Sequence, residues 1–156
     1  MSRRIGLIVP SSNTVAEVDF YRRLPEGATL HTARMYLEDV TADAEVTMLD
    51  EHLPRAVADI ATTRPDVVVF ACTSAGALRG NAAEQALIDS ISGQTIAPTV
   101  SVAAAVRTAI ESRGARRIGV ITPYVTRLND KIRASLEEDA SRWRRSTGWA
   151  SSTTTR

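Results

Sequence analysis

The segment Asp66-Val67-Val68-Val69-Phe70-Ala71-Cys72-Thr73-Ser74-Ala75-Gly76 runs a β-branched stretch straight into a thiol, two hydroxyls and a glycine. Three consecutive valines and a phenylalanine favour a strand buried on both faces. Small polar residues then stand where a core would want bulk. Ligands of open α/β sheets bind at the carboxyl ends of such strands. Cys72 is the only cysteine of the chain. A thiol beside backbone N–H groups at a helix start can be held as thiolate, because the partial positive charge there favours an anion. The bland alternative is a small buried apolar residue, the commonest state of a free cysteine.

Outward from this segment the chain alternates strand and helix patterns. Ile5-Gly6-Leu7-Ile8-Val9 predicts a buried strand stopped by Pro10. Asn13 is placed to cap a helix through Arg23, with Val15, Val18 and Leu24 on its inner side. Residues 28–37 alternate as a second strand. Residues 42–63 predict a long helix with Val46, Leu49, Leu53, Val57 and Ile60 inward, which Pro54 should kink or divide. After the strand at 66–71 come a helix over 81–91, a short strand at 98–100 and a helix over 102–112 ended by Gly114. A fifth strand at 118–121 and a helix over 126–138 complete the pattern. Strands alternating with helices of this length specify parallel βαβ units with right-handed crossovers. The fold class is therefore α/β, an open parallel sheet with helices on both faces.

The pattern partly repeats. Arg4-Ile5-Gly6-Leu7-Ile8-Val9-Pro10 is echoed by Arg117-Ile118-Gly119-Val120-Ile121-Thr122-Pro123, and a polar loop and a helix follow each. This divides the chain into a first lobe over 1–114, the opening βα unit of a second over 115–139, and a tail over 140–156. The tail has neither period and holds both tryptophans. A disordered terminus is the plain expectation for it. A frameshift is the sharper one. With G/C-rich codons, residues 140–151 read one frame over spell a buried strand and a glycine-rich loop, the element due next. On that expectation the chain is truncated, inactive and poorly soluble, and the gene sequence tests it.

Composition sets further bounds. The 156 residues hold 19 basic and 18 acidic side chains. Four of the arginines lie in 140–156 with no acid, so 1–139 keeps 15 basic against 18 acidic, a net of −3. The nominal basicity belongs to the tail and gives no support to nucleic-acid binding. No apolar run approaches the ~20 residues that span a membrane. A strand begins almost at Met1, which leaves no room for a signal peptide. One cysteine excludes an internal disulfide and fits a reducing cytoplasm. His31 and His52 stand alone, so neither a metal site nor a histidine base for a cysteine hydrolase is expected. No glycine-rich nucleotide loop or Walker lysine occurs.

Three segments together carry a family resemblance: Gly6-Leu7-Ile8-Val9-Pro10-Ser11-Ser12-Asn13-Thr14, Phe70-Ala71-Cys72-Thr73-Ser74-Ala75-Gly76 and Gly119-Val120-Ile121-Thr122-Pro123-Tyr124. In order and spacing they resemble the aspartate/glutamate racemase superfamily, and most nearly its maleate cis-trans isomerase branch. The resemblance implies two pseudo-symmetric lobes with the site between them, no cofactor, a small dicarboxylate substrate and a chain that often associates into homo-oligomers. It makes Cys72 the nucleophile that adds to the alkene carbon of maleate. Asn13, Ser12 and Tyr124 match positions that bind substrate carboxylates. Thr73 and Ser74 match the part of the site that holds a carboxylate as it gains charge. A soft nucleophile and fixed donors are what conjugate addition needs. Asn13 also reads as an N-cap, and Tyr124 as a packing residue. Cys-Thr-Ser differs from the Cys-Asn-Thr of amino-acid racemases, and the related arylmalonate decarboxylases lack this cysteine. An amino-acid or hydantoin racemase and a non-catalytic binding protein are the alternatives.

Overall fold

The computed structural model describes residues 3–115 and 117–147, with side chains through 138. Four parallel strands form one sheet in the order β2-β1-β3-β4. They are β1 (Arg3–Pro10), β2 (Ala28–Met35), β3 (Val67–Phe70) and β4 (Thr99–Ser101). Ile8 lies beside Ala33 on one side and Phe70 on the other. The chain leaves β1 toward β2, then crosses back over β1 to lay down β3. The winding direction thus reverses between β1 and β3, and a crevice opens outside their carboxyl ends.

Leu7, Ile8 and Val9 are completely buried, as a central parallel strand requires. Alternation sends them to opposite faces. Ile8 joins the main core with Met35, Val57, Ile60, Val68 and Phe70. Leu7 and Val9 join a smaller cluster with Leu30, Phe20 and Leu24. Helix α1 (Ala16–Arg23) covers that second face. Its inner stripe is Ala16, Phe20 and Leu24 at i, i+4 and i+8. Val15 and Val18, expected inside, are 61% and 45% exposed. The aromatic ring of Phe20 offers more area to bury than either valine, and it sets the helix rotation.

The long helix expected over 42–63 is three pieces. Helix α2 (Ala42–Thr47) passes into a π-helical turn at Met48–His52, and α3 (Leu53–Ala61) follows with Pro54 in its first turn. Proline donates no N–H and is tolerated there. The Leu53 N–H donates to the Met48 carbonyl, five residues back. That wider turn inserts one residue into the helical phase. Upstream of it the inward positions become Ala42, Glu45 and Met48, while Val46 turns outward. On the sheet side, Gly6 lets α3 come close to β1: a Cβ there would stand 2.9 Å from Ile60 Cγ1.

Helices α4 (Thr73–Leu78), α5 (Asn81–Thr95) and α6 (Val102–Ser112) follow β3 and flank β4. A buried polar network ties α5 and α6 to the last helix of the described residues. The Glu84 carboxylate accepts from Ser101 and Arg107, and Ser135 bridges Arg107 and Asn81. The Ser101 hydroxyl also accepts from the Ala103 N–H at 3.1 Å and so caps α6.

Residues 118–121 do not form the expected strand. A strand persists only when a neighbour satisfies its backbone groups. Among the described residues none lies alongside, and Ile121 is fully exposed. The last helix, α7, runs over Thr126–Thr147, well past the expected end at 138. Its Leu128 is completely buried in the main core. Of the tail, 140–147 continue α7, and 148–156 lie outside the described residues together with any expectation of disorder there.

Candidate functional site

Cys72 lies two residues beyond the end of β3 and occupies the N-cap of α4. The loop Ser11–Asn13 follows β1, the neighbouring parallel strand. The Ala71 N–H donates to the Ile8 carbonyl at 2.8 Å, so the sheet pairing continues to the brink of both loops. The strand order therefore brings the two loops to one edge.

The two loops are built differently. The Asn13 Oδ1 accepts from the N–H groups of Val15 and Ala16 at 3.0 and 2.9 Å. Its capping role is thereby filled, and the Nδ2 group is its remaining donor. Arg34 on β2 donates to the carbonyls of Ser11 and Asn13 at 3.0 and 2.9 Å and pairs with Glu17. The Ser11 hydroxyl accepts from the Leu37 N–H at 2.9 Å. Ser12 is exposed. Among the described residues no hydrogen bond joins Asn13 or Ser12 to the Cys72 group.

Around Cys72 the arrangement is dense. The thiol is 6% exposed, and its sulfur lies 4.0 Å from the Ser74 hydroxyl. Ser74, itself buried, donates to the Glu45 carboxylate. Tyr124 packs against the same core. Its phenol is pushed above the usual tyrosine range, first by burial and then by Cys72 and Glu45, with Ser74 pulling the other way. Thr73 and Tyr124 both line a cavity of about 390 Å³, whose walls include Ala77, Ile118 and Ile132. The structure thus gathers Cys72, Ser74, Tyr124 and Thr73, and it adds Glu45. Sequence reasoning missed Glu45, because straight helical phase turned Val46 inward. The signal was Pro54, which a wider turn must accommodate.

The electrostatics correct one expectation. Cys72 is not held as a resting thiolate. Burial raises its pKa from 9.0 to about 11, helped by the Glu45 charge, against a lowering by the Ala75 N–H and Ser74. A six-residue helix has too little aligned dipole to reverse that. Burial also pushes Glu45 up, partly offset by Ser74. Both acids are harder to ionise folded than unfolded. The stability they contribute is full at low pH and is lost as pH rises past their unfolded values. For Cys72 the window is about 9 to 11. Urea unfolding of wild type should lose on the order of 2 kcal/mol more across that window than Cys72→Ala.

Helix α4 is also clamped from behind. A Cβ on Gly76 would stand 2.8 Å from Glu84 Oε1 and 3.0 Å from Ala103 Cβ. Glu84 is fixed by Ser101 and Arg107, so it cannot move aside. Gly76→Ala is expected to cost about 1–3 kcal/mol in urea unfolding.

Comparison with known proteins agrees with this layout. The family model for arylmalonate decarboxylase matches residues 5–145. The maleate isomerase of Geobacillus stearothermophilus is 32% identical over 142 residues, covering 83% of this chain and 56% of that protein. A crystal structure of a maleate isomerase from Pseudomonas putida superposes with a TM-score of 0.81 at 26% identity, over 90% of this chain and 61% of that one. A mutant of the Nocardia farcinica maleate cis-trans isomerase, solved with a covalently bound succinylcysteine intermediate, superposes with a TM-score of 0.80 at 29% identity, over 90% of this chain and 60% of that one. The chain spans 56 to 61% of the length of the curated relatives it matches. No helix among the described residues is long and apolar enough to cross a membrane. The sheet order, the loops at its β1/β3 crevice and a match along nearly the whole sequence converge, and the chain belongs to the arylmalonate decarboxylase family.

Proposed function

We propose that this chain carries the nucleophilic half of a cofactor-independent cis-trans isomerase that converts maleate to fumarate. The observation that carries the reading is Cys72 at the carboxyl end of β3, on the crevice where the winding reverses. The succinylcysteine in the Nocardia farcinica relative supports covalent chemistry at a cysteine of this fold. The Cys72 sulfur adds to one alkene carbon. The π electrons shift to the other alkene carbon and into the carboxylate it bears, and the former double bond becomes a single bond free to rotate. The electrons then return, the S–C bond breaks, and fumarate leaves.

The Thr73 hydroxyl and the backbone N–H groups of Thr73 and Ser74 supply donors where that carboxylate gains charge. Tyr124, Ser12 and the Nδ2 group of Asn13 hold the carboxylates in place. Residues 1–114 serve as the first lobe and 115–139 as the opening of the second. A single thiol suits a cytoplasmic setting, and the mildly acidic body suits a small-molecule enzyme rather than a nucleic-acid or membrane partner.

Maleate protection tests the reading. Labelling of Cys72 by iodoacetamide should slow severalfold in saturating maleate and remain unchanged in an equal ionic strength of chloride. Equal rates with and without maleate contradict it.

A further inference from the structure

Glu45 has no place in the chemistry described so far. It is completely buried. Its inward neighbours on the same helical path are Ala42, Met48 and Leu49. One oxygen, Oε1, accepts from the Ser74 hydroxyl. The other, Oε2, has no hydrogen-bond partner among the described residues. Burying a carboxyl with an open oxygen and no cation beside it among the described residues is costly. Ser74 is shared: its oxygen also lies 4.0 Å from the Cys72 sulfur. Two acids, one carboxyl and one thiol, thus meet at a single hydroxyl inside the protein.

We propose that Glu45 is the proton acceptor for Cys72, reached through the Ser74 hydroxyl. The S–H bond breaks as an O–H bond forms on Ser74 Oγ. The original Ser74 O–H breaks as an O–H bond forms on Glu45 Oε1. The sulfur electron pair is then free to form the S–C bond. When the product leaves, the thiolate regains a proton by the reverse path. The group of three carries one negative charge throughout, moved from carboxylate to sulfur. Losing the thiol proton to water instead would place two negative charges side by side in a buried site. Burial pushes both Cys72 and Glu45 up, and the Glu45 charge adds to the rise at Cys72.

The charged and titratable groups around Glu45 leave its role distinct. Cys72 at the β3–α4 junction and Tyr124 in the loop before α7 are the groups that the Glu45 charge raises. Asp43 on its own helix pairs with Arg127 of α7, and Asp50 of the π turn pairs with Arg79. Both pairs are exposed.

The inference rests on Cys72 as nucleophile, and its test needs no isomerase activity. Cys72 is the only thiol, so alkylation by neutral chloroacetamide reads it alone. In wild type the labelling rate should show a plateau below the thiol's own titration, following ionisation of Glu45. In Glu45→Gln and in Ser74→Ala the plateau should vanish, with a fall of at least about tenfold at neutral pH. The rate in both variants should then climb tenfold per pH unit. Deuterium oxide should slow only the wild-type plateau. A Glu45→Gln protein that labels as fast as wild type or faster, with an unchanged profile, overturns the relay and makes Glu45 a neighbouring charge. Circular dichroism checks both folds, and Ser74→Ala decides alone if Glu45→Gln does not fold. Maleate protection with an unchanged profile keeps the nucleophile and removes the relay. No labelling of folded Cys72 at any pH removes both.

Discussion

Cys72→Ser should lower maleate isomerisation by on the order of a thousandfold or more in any length of this protein that turns maleate over. A hydroxyl is far harder to ionise than a thiol and is a poorer partner for an alkene carbon. The loss should appear in kcat, with KM little changed, because the carboxylate-holding groups stay in place. Stability should move little. Serine is slightly smaller than cysteine, and the Ser74 hydroxyl and the Ala75 N–H stand ready to pair with the new oxygen. An unfolding midpoint close to wild type, with turnover gone, separates chemistry from folding. Substantial turnover by Cys72→Ser would require a different nucleophile.

Phe70→Ala should produce the largest loss of stability, about 3–5 kcal/mol. Phe70 is completely buried in the main core and pairs in register with Ile8 and Ser101. It is also two residues before Cys72, at the point where β3 gives way to the site. The cavity left behind would touch both the sheet and the helices over it, and relaxation of β3 would displace the thiol. Urea unfolding should show a much lower midpoint with the slope kept. A change below 1 kcal/mol would mean that the core does not depend on this ring.

The sheet was legible because strand and helix periods differ. Val67–Phe70 and Ile5–Val9 announce buried strands by composition alone, and the placement of Cys72 at a strand end follows. The structure shows that these two strands pair directly. Helix rotation was less legible. Val15 and Val18 stand three residues apart on one helical face, but the face that carries Ala16, Phe20 and Leu24 buries a ring. Glu45 was hidden for a related reason. A single wide turn before Pro54 shifts the phase by one residue, which exchanges Val46 for a carboxylate. Ile118–Ile121 has strand composition without a strand neighbour, and composition alone cannot supply the hydrogen bonds of a ladder. The tail shows the opposite error. Residues 140–147 lack an obvious apolar stripe, yet they extend α7; propagation adds one backbone bond per residue once a helix is nucleated.

The central claim is that the Cys72 sulfur forms a bond to an alkene carbon of maleate. Mapping that bond tests it most directly. The protein is incubated with saturating maleate, quenched in acid, digested and sequenced by tandem mass spectrometry. One added maleate per chain is expected, carried by the peptide containing Cys72 and absent from Cys72→Ser. An unmodified Cys72 peptide at saturating maleate, or an adduct that persists on another residue in Cys72→Ser, would contradict it.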